Sequence, residues 1–323
     1  MRDTRRGEDS PPDNLEFRNV ELLVEYKGEA FAGWQIQPNQ RTVAGSLQQA
    51  LQHITRHPVR LVAASRTDRG VHALGQVASF KTPAKIIPRR LRRGVNAILP
   101  PEVAVRQARD VPSDFHARFS AKGKHYRYRI FNRYARCPLE IDRAWHYPSP
   151  LDIDAMDEAA QYLVGRHDFA SLETRTDVKR GTIRRLRAVR VRRAPAIAEH
   201  STAGPPGVGI EVDVIGDSFL YKMVRTIAGT LVLVGHGKLR PAAIEGILAG
   251  RIRTQAGPTA PPQGLTLLRV FYDEHELAAA ADQQLEGIVN GHSRDGTRAD
   301  DPRRAPRICG GEGGQAGAVQ SRP

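Results

Sequence analysis

Cysteine, aromatic residues and long apolar runs are all scarce in this chain, and each shortage excludes something. Two cysteines in 323 residues, Cys137 and Cys309, build neither a disulfide framework nor a cysteine metal cluster, and fit a reducing compartment. No stretch approaches the roughly 18 apolar residues that suggest a membrane span. The first residues, MRDTRRGEDSPPDN, lack the apolar segment of a secretory signal. A cytoplasmic protein with no membrane partner is expected. Neither a phosphate loop nor a dinucleotide fingerprint occurs, and Gly235-His236-Gly237 reads as a helix ending. His53 and His57 stand four apart on a predicted helix, but Arg56 lies between them and no third ligand is near, so surface histidines and no metal are expected.

Acidic residues are outnumbered. Against 49 Lys and Arg the chain sets 35 Asp and Glu, a net charge of +14. Residues 275–323 hold 6 basic and 7 acidic side chains, so the excess belongs to the body that precedes them. A basic folded surface points to a shaped docking face for a polyanion, nucleic acid first. Hydrophobic residues make up 40% of the chain, enough to bury a core, and the length suits two ordinary domains or one large one with tails.

Periodicity gives the layout. Residues 1–14 show none and are expected to be disordered. A strand is predicted over Asn19–Tyr26, a turn over Gly28–Gly33, and a helix over Val43–Ile54 through Val43, Leu47, Ala50, Leu51 and Ile54. Strands at Val59–Ala64 and Val71–Phe80, a basic helix at Pro88–Ile98 and a strand at Val103–Ala108 complete a split βαβ, or ferredoxin-like, order. A second unit of the same make-up runs through a strand at His125–Phe131, a helix at Asp154–Leu163 and strands at Arg184–Arg192 and Val208–Ile215. A long helix from Ser218 to about Val234, a shorter one at Pro241–Leu248 and a closing strand at Leu265–Tyr272 follow. The boundaries drawn are 15–112 and 113–274, with a cleft expected between the halves. Beyond Glu274 a short helix is expected, then no structure from about Asn290, and 275–323 is set apart as a low-complexity tail.

Within this layout, Ser65-Arg66-Thr67-Asp68-Arg69-Gly70-Val71-His72-Ala73 puts one carboxylate between two guanidinium groups on the connection between two strands. Arg66 and Arg69 would each favour a charged Asp68, which suits a nucleophile or a fixed negative charge better than a proton donor. Spacing alone equally allows a surface turn. In the long helix, apolar residues cover most of the circumference, so Arg225 needs a paired anion or an open face. Asp68 is the candidate anion. The strand His125-Tyr126-Arg127-Tyr128-Arg129-Ile130 puts its tyrosines on one face, where either could stack on a base or move a proton; an amphipathic strand with one wet face is the plainer reading. Phe115, His116, Arg118 and Phe119 mix aromatic and basic groups as single-stranded nucleic-acid contacts do. Arg175-Thr176-Asp177 repeats the earlier triplet without its Arg-Gly turn, as coincidence or as a basic loop on backbone phosphates.

Together SRTDRGVHALGQVASF, DFHARFSA, HYRYRI, FLYKMVRTIAG and APPQGLTLLRVFY resemble the tRNA pseudouridine synthase A family, in family order from about Val20 to Tyr272. The resemblance implies an α+β fold of two ferredoxin-like halves forming a mixed, mainly antiparallel sheet, with helices on one face and a central basic cleft. It implies isomerisation of uridine to pseudouridine at positions 38, 39 and 40 of the tRNA anticodon arm, by a homodimer needing no cofactor. Matched residue by residue, Asp68 takes the nucleophile's place with Arg66 beside it. Tyr126 takes that of the active-site tyrosine, Arg225 that of the ion-pairing arginine and Leu265 that of the pocket leucine. RNA contacts would fall at Phe115, His116, Ala117, Arg118 and Phe119, and at Thr176, Asp177, Val178, Lys179 and Arg180. Departures are Ser65 where glycine is usual, Arg69 for a small residue, Thr226 for asparagine and an atypical loop around Asp177. A catalytically silent RNA-binding protein and a glycosidic-bond hydrolase are the rivals. No second acid accompanies Asp68 in its motif, as such a hydrolase would need without a metal.

Overall fold

A computed structural model describes residues 16–174, 181–195 and 207–291. The expected disorder of 1–14, the 176–180 loop and the chain beyond 291 lie outside those residues.

The sheet follows from alternation. In β1 (Arg18–Tyr26) the side chains of Val20, Leu22, Val24 and Tyr26 are all buried, and their register partners Phe80, Ala78 and Gln76 in β3 (His72–Thr82) lie on the same face. The remaining strands are β2 (Val62–Ala63), β4 (Val103–Val111), β5 (Gly123–Asn132), β6 (Trp145–Tyr147), β7 (Gly165–Asp168), β8 (Ile183–Ala194), β9 (Val208–Gly216) and β10 (Leu265–Phe271). They form one ten-stranded sheet in the order β4-β1-β3-β10-β5-β9-β8-β7, with β2 on β3 and β6 on β5. Among the described residues only β10 with β3 and β5 with β6 run parallel.

Two copies of one spatial order are visible in that path. β4-β1-β3-β2 and β10-β5-β9-β8 each place a last strand beside the first, the first beside the third and the third beside the second, the ferredoxin-like arrangement. The copies join where Thr266 and Leu267 of β10 pair with His72 and Ala73 at the start of β3. The last strand made is therefore the seam of the sheet.

Among the described residues six α-helices accompany it: α1 (Val43–Thr55), α2 (Pro88–Asn96), α3 (Ile153–Gln161), α4 (Met223–Gly235), α5 (Ala243–Gly250) and α6 (Glu274–Gly291). Caps fix their starts. The Thr42 hydroxyl accepts from Gly45 N–H at 3.2 Å, the Asp152 carboxylate accepts from Ala155 N–H at 3.0 Å, and Pro88 opens α2. α1 ends at Thr55 because Arg56 turns left-handed at φ 61, so His57 lies off the helix and bonds Thr82 Oγ1 at 2.7 Å.

Three expectations change. The long helix begins at Met223, not Ser218, because Lys222 takes a left-handed conformation at φ 58 and the residues before it form a turn. The Val59–Ala64 strand shrinks to Val62–Ala63. The stretch from 275, set apart as tail, opens with the long helix α6, which buries Leu277 and Ala281 against Ala188, Ile215 and Phe271. Ile215 alternates with the core residue Val214 along β9, so α6 lies on the face opposite the main core, and the helices are not confined to one face.

Candidate active site

The loop between β2 and β3 is fastened on both sides of Asp68. Gln76, fully buried on β3, accepts from Ser65 N–H at 3.2 Å through Oε1 and donates to the Ser65 carbonyl at 2.8 Å through Nε2. The Tyr26 and Thr67 hydroxyls share a hydrogen bond of 2.7 Å, and Trp34 N–H donates to the Thr67 carbonyl at 3.1 Å. Gly33, at φ +102, lies directly against the loop backbone. A Cβ there would stand 2.9 Å from Thr67 O and 3.2 Å from Arg69 N. With Thr67 held inward, the Asp68 side chain turns outward and keeps 22% of its surface exposed.

The cation that meets it comes from 157 residues away. Arg225, in the first turn of α4 and 11% exposed, donates from Nη1 to Asp68 Oδ2 at 3.2 Å and from Nε to the Ala260 carbonyl at 2.7 Å. Ala260 N–H returns a bond to the Arg225 carbonyl at 3.1 Å. The segment carrying Ala260 lies against α4 because Gly229 has no side chain; a Cβ there would be 1.8 Å from Pro258 O. Gly257 N–H donates to Thr230 Oγ1 at 3.0 Å and holds the segment down. Arg66 and Arg69 are both exposed, so the sequence neighbours expected to flank Asp68 give way to a guanidinium supplied by the fold.

Tyr126, 7% exposed, lies on the core face of β5. Its hydroxyl shares a 2.7 Å hydrogen bond with Ser65 Oγ, and the Phe219 ring meets it edge-on at 5.1 Å. Burial pushes its phenol up to about 12; the nearby Asp68 carboxylate adds to the rise and the Ser65 bond opposes it. The phenol therefore carries its proton at neutral pH. Leu265 opens β10 opposite Tyr128 and is buried, and Tyr128 donates to the Pro261 carbonyl at 2.7 Å. Burial raises the Tyr128 phenol as well, against the opposing influence of Arg225.

Asp68, Arg225, Tyr126 and Leu265 thus come from the β2–β3 loop, the start of α4, β5 and β10 respectively. The 115–119 segment is more divided than expected. Ala117 is fully buried, its N–H donating to Ser79 Oγ at 3.3 Å and its carbonyl accepting from Tyr272 at 2.7 Å, while Phe115 packs on the Tyr272 ring at 4.9 Å. What it offers outward is Arg118 and Phe119, the latter 76% exposed and stacked on His116 at 4.3 Å. Sequence reasoning missed Ser65, Thr67, Gln76 and Phe219. Gln76 carries the clearest signal, as an amide at an apolar position of a buried strand. Among the described residues no group of three or more His, Cys, Asp or Glu could hold a metal ion.

Such a site offers a carboxylate fixed by a cation, beside a neutral phenol, above an apolar floor. A family model described as tRNA pseudouridine synthase matches residues 22–120 and 159–273. The chain is 45% identical over 256 residues to a tRNA pseudouridine synthase A of Geotalea daltonii, covering 79% of this chain and all of that one. It is 43% identical to those of Geotalea uraniireducens and a Thermoanaerobacter species, again over 79% of this chain and their full lengths.

Proposed function

The chain belongs to the tRNA pseudouridine synthase A family, an isomerase family that converts uridine to pseudouridine, and on that premise we propose that it acts on tRNA, at positions 38, 39 and 40 of the anticodon stem-loop, with Asp68 as nucleophile. The observation that carries this reading is the 3.2 Å contact between Asp68 and Arg225, made beside Tyr126. Pseudouridine formation breaks the bond from ribose C1′ to uracil N1, turns the base and joins C1′ to C5. C5 loses a proton and N1 gains one. A carboxylate already solvated by a fixed guanidinium can attack C1′, add to uracil C6 or assist formation of a glycal without reorganising its surroundings. The detached base has to be retained and water kept from it. The floor formed by Leu265, Tyr126 and Phe219 fits that need.

Tyr126, holding its proton, is suited to stacking on the base and orienting it. As a base at neutral pH it would be almost entirely in the wrong form, its phenol standing at about 12. A stem uridine has to be flipped out at a cost of about a few kcal/mol, which contacts from the basic body to phosphates can offset. A cytoplasmic location and a homodimer are taken over from the family resemblance, and the sedimentation mass of the purified chain, against 35.7 kDa for one copy, decides the dimer. Among the described residues no helix is long and apolar enough to cross a membrane.

The test uses tRNA tritiated at uridine C5. The wild-type chain releases tritium without free uracil, and Asp68→Asn releases none. Turnover surviving in that variant removes Asp68 from the role. Free uracil favours the hydrolase, and tight binding with no release favours the silent binder.

A further inference from the structure

We propose that Lys124, with Arg118, forms a receptor for one backbone phosphate of the bound RNA, on the floor of the site beside Tyr126; the idea rests on the reading of the chain as an RNA-modifying enzyme. Lys124 precedes Tyr126 by two residues on β5, in unbroken register with β9, so both side chains project from the same face, roughly 7 Å apart along the strand. Gly123 fixes the parity independently. A Cβ on it would strike Leu277 of α6, on the opposite face.

An ammonium half-buried on that floor needs an anion, and the protein supplies none. Among the described residues Lys124 has no carboxylate partner. At its paired positions stand Val270 of β10 and Gly216 of β9, neither ionisable. On its own strand the Tyr126 hydroxyl is engaged by Ser65. The charge that does face it is like-signed, the exposed Arg118. Burial first, then Arg118, lowers its ammonium to about 8.

Two cations brought together at the edge of the site, with no carboxylate partner for the lysine among the described residues, are costly in the free protein and become favourable when a phosphate arrives. Structural lysines are placed the other way, against a carboxylate, as Lys27 is against Asp142 at 2.8 Å. A phosphate bound here would lie one strand step from the phenol, and so would set which nucleotide reaches Asp68.

The experiment measures the affinity of the full-length chain for an unmodified tRNA transcript at several salt concentrations and at pH 7 to 9.5. For wild type, affinity is expected to fall as pH rises past about 8. Lys124→Met keeps the apolar stem and should melt no lower than wild type, since no internal bond is lost. It should bind on the order of tenfold more weakly, with the slope of log affinity against log salt reduced by about one. Lys124→Arg, charged throughout, should restore affinity and abolish the pH dependence. Wild-type affinity and salt slope in Lys124→Met, or an unchanged pH profile in Lys124→Arg, overturns the proposal. The binding measurement reads Lys124 whether or not the transcript is modified. Wild-type chain that binds it but forms no pseudouridine in a parallel incubation counts against the proposed function alone.

Discussion

Ser65 stands three residues before Asp68, and its hydroxyl is what the Tyr126 phenol bonds to, at 2.7 Å. Removing it leaves a buried phenol oxygen without that partner, a loss of about 1 kcal/mol. Ser65→Gly is therefore expected to lower the unfolding free energy by that order in urea titration. It should still turn over tRNA, since Arg225 and Gln76 hold Asp68 and its loop without help from the serine side chain. Complete loss of turnover would mean that the Ser65 bond positions the phenol for the chemistry itself. The pairing of Asp68 with Arg225 was legible, because an arginine on a largely apolar helix needs an anion; Tyr126 was singled out from the alternation of its strand, and Leu265 only through the family resemblance. Lys124 and Gln76 were not legible. Their meaning comes from what surrounds them, an absent anion in one case and a folded loop in the other.

The elements carry the site through close backbone approach, which no hydrophobic pattern encodes. In the sequence Gly229 is a small residue on a buried helix face; in the structure it is the gap through which Pro258 O reaches α4 and delivers the Ala260 carbonyl to Arg225. Gly229→Ala places a methyl 1.8 Å from that oxygen, so the 257–260 segment has to withdraw. The expected outcome is a loss of about 1–3 kcal/mol in stability, read by thermal melting. Single-turnover rates should fall while tRNA affinity stays near wild type, because the ion pair to Asp68 loses its second anchor. Equal losses in affinity and rate would locate the damage elsewhere. Strands and helices themselves were largely readable, since β1, α1, β3, α2, β5 and β9 follow their periodicity within a few residues. The late start of the long helix was hidden because Lys222 gives no sequence sign of a left-handed turn.

For the molecule as a whole, acid stability should depend on the outer face of the sheet. Asp213 there accepts from His125 at 2.7 Å and from Arg127 at 2.9 and 3.1 Å, with Arg192 at 3.3 Å, across strands β5, β9 and β8. Burial works to raise its carboxyl, but these bonds outweigh it and hold the group down to about 2, against an ordinary 3.8. A carboxylate depressed on folding stabilises above its unfolded value and loses that contribution as pH falls through the folded one. About 2 kcal/mol should therefore be present above pH 4 and disappear towards pH 2. Asp213→Asn should unfold more easily at pH 7 and show a flatter stability profile between pH 2 and 4. A profile as steep as that of wild type would exclude this network as the source.

The seam strand β10 bears on the molecule's birth. Leu265 to Phe271 are translated after nearly everything they join, and their partners His72 and Tyr126 wait almost two hundred and about a hundred and forty residues upstream. Contacts of such separation close late. A nascent chain on the ribosome can fold its first half-sheet early, yet β10, which completes the second and joins the two, emerges after every other strand among the described residues. Competence waits on β10.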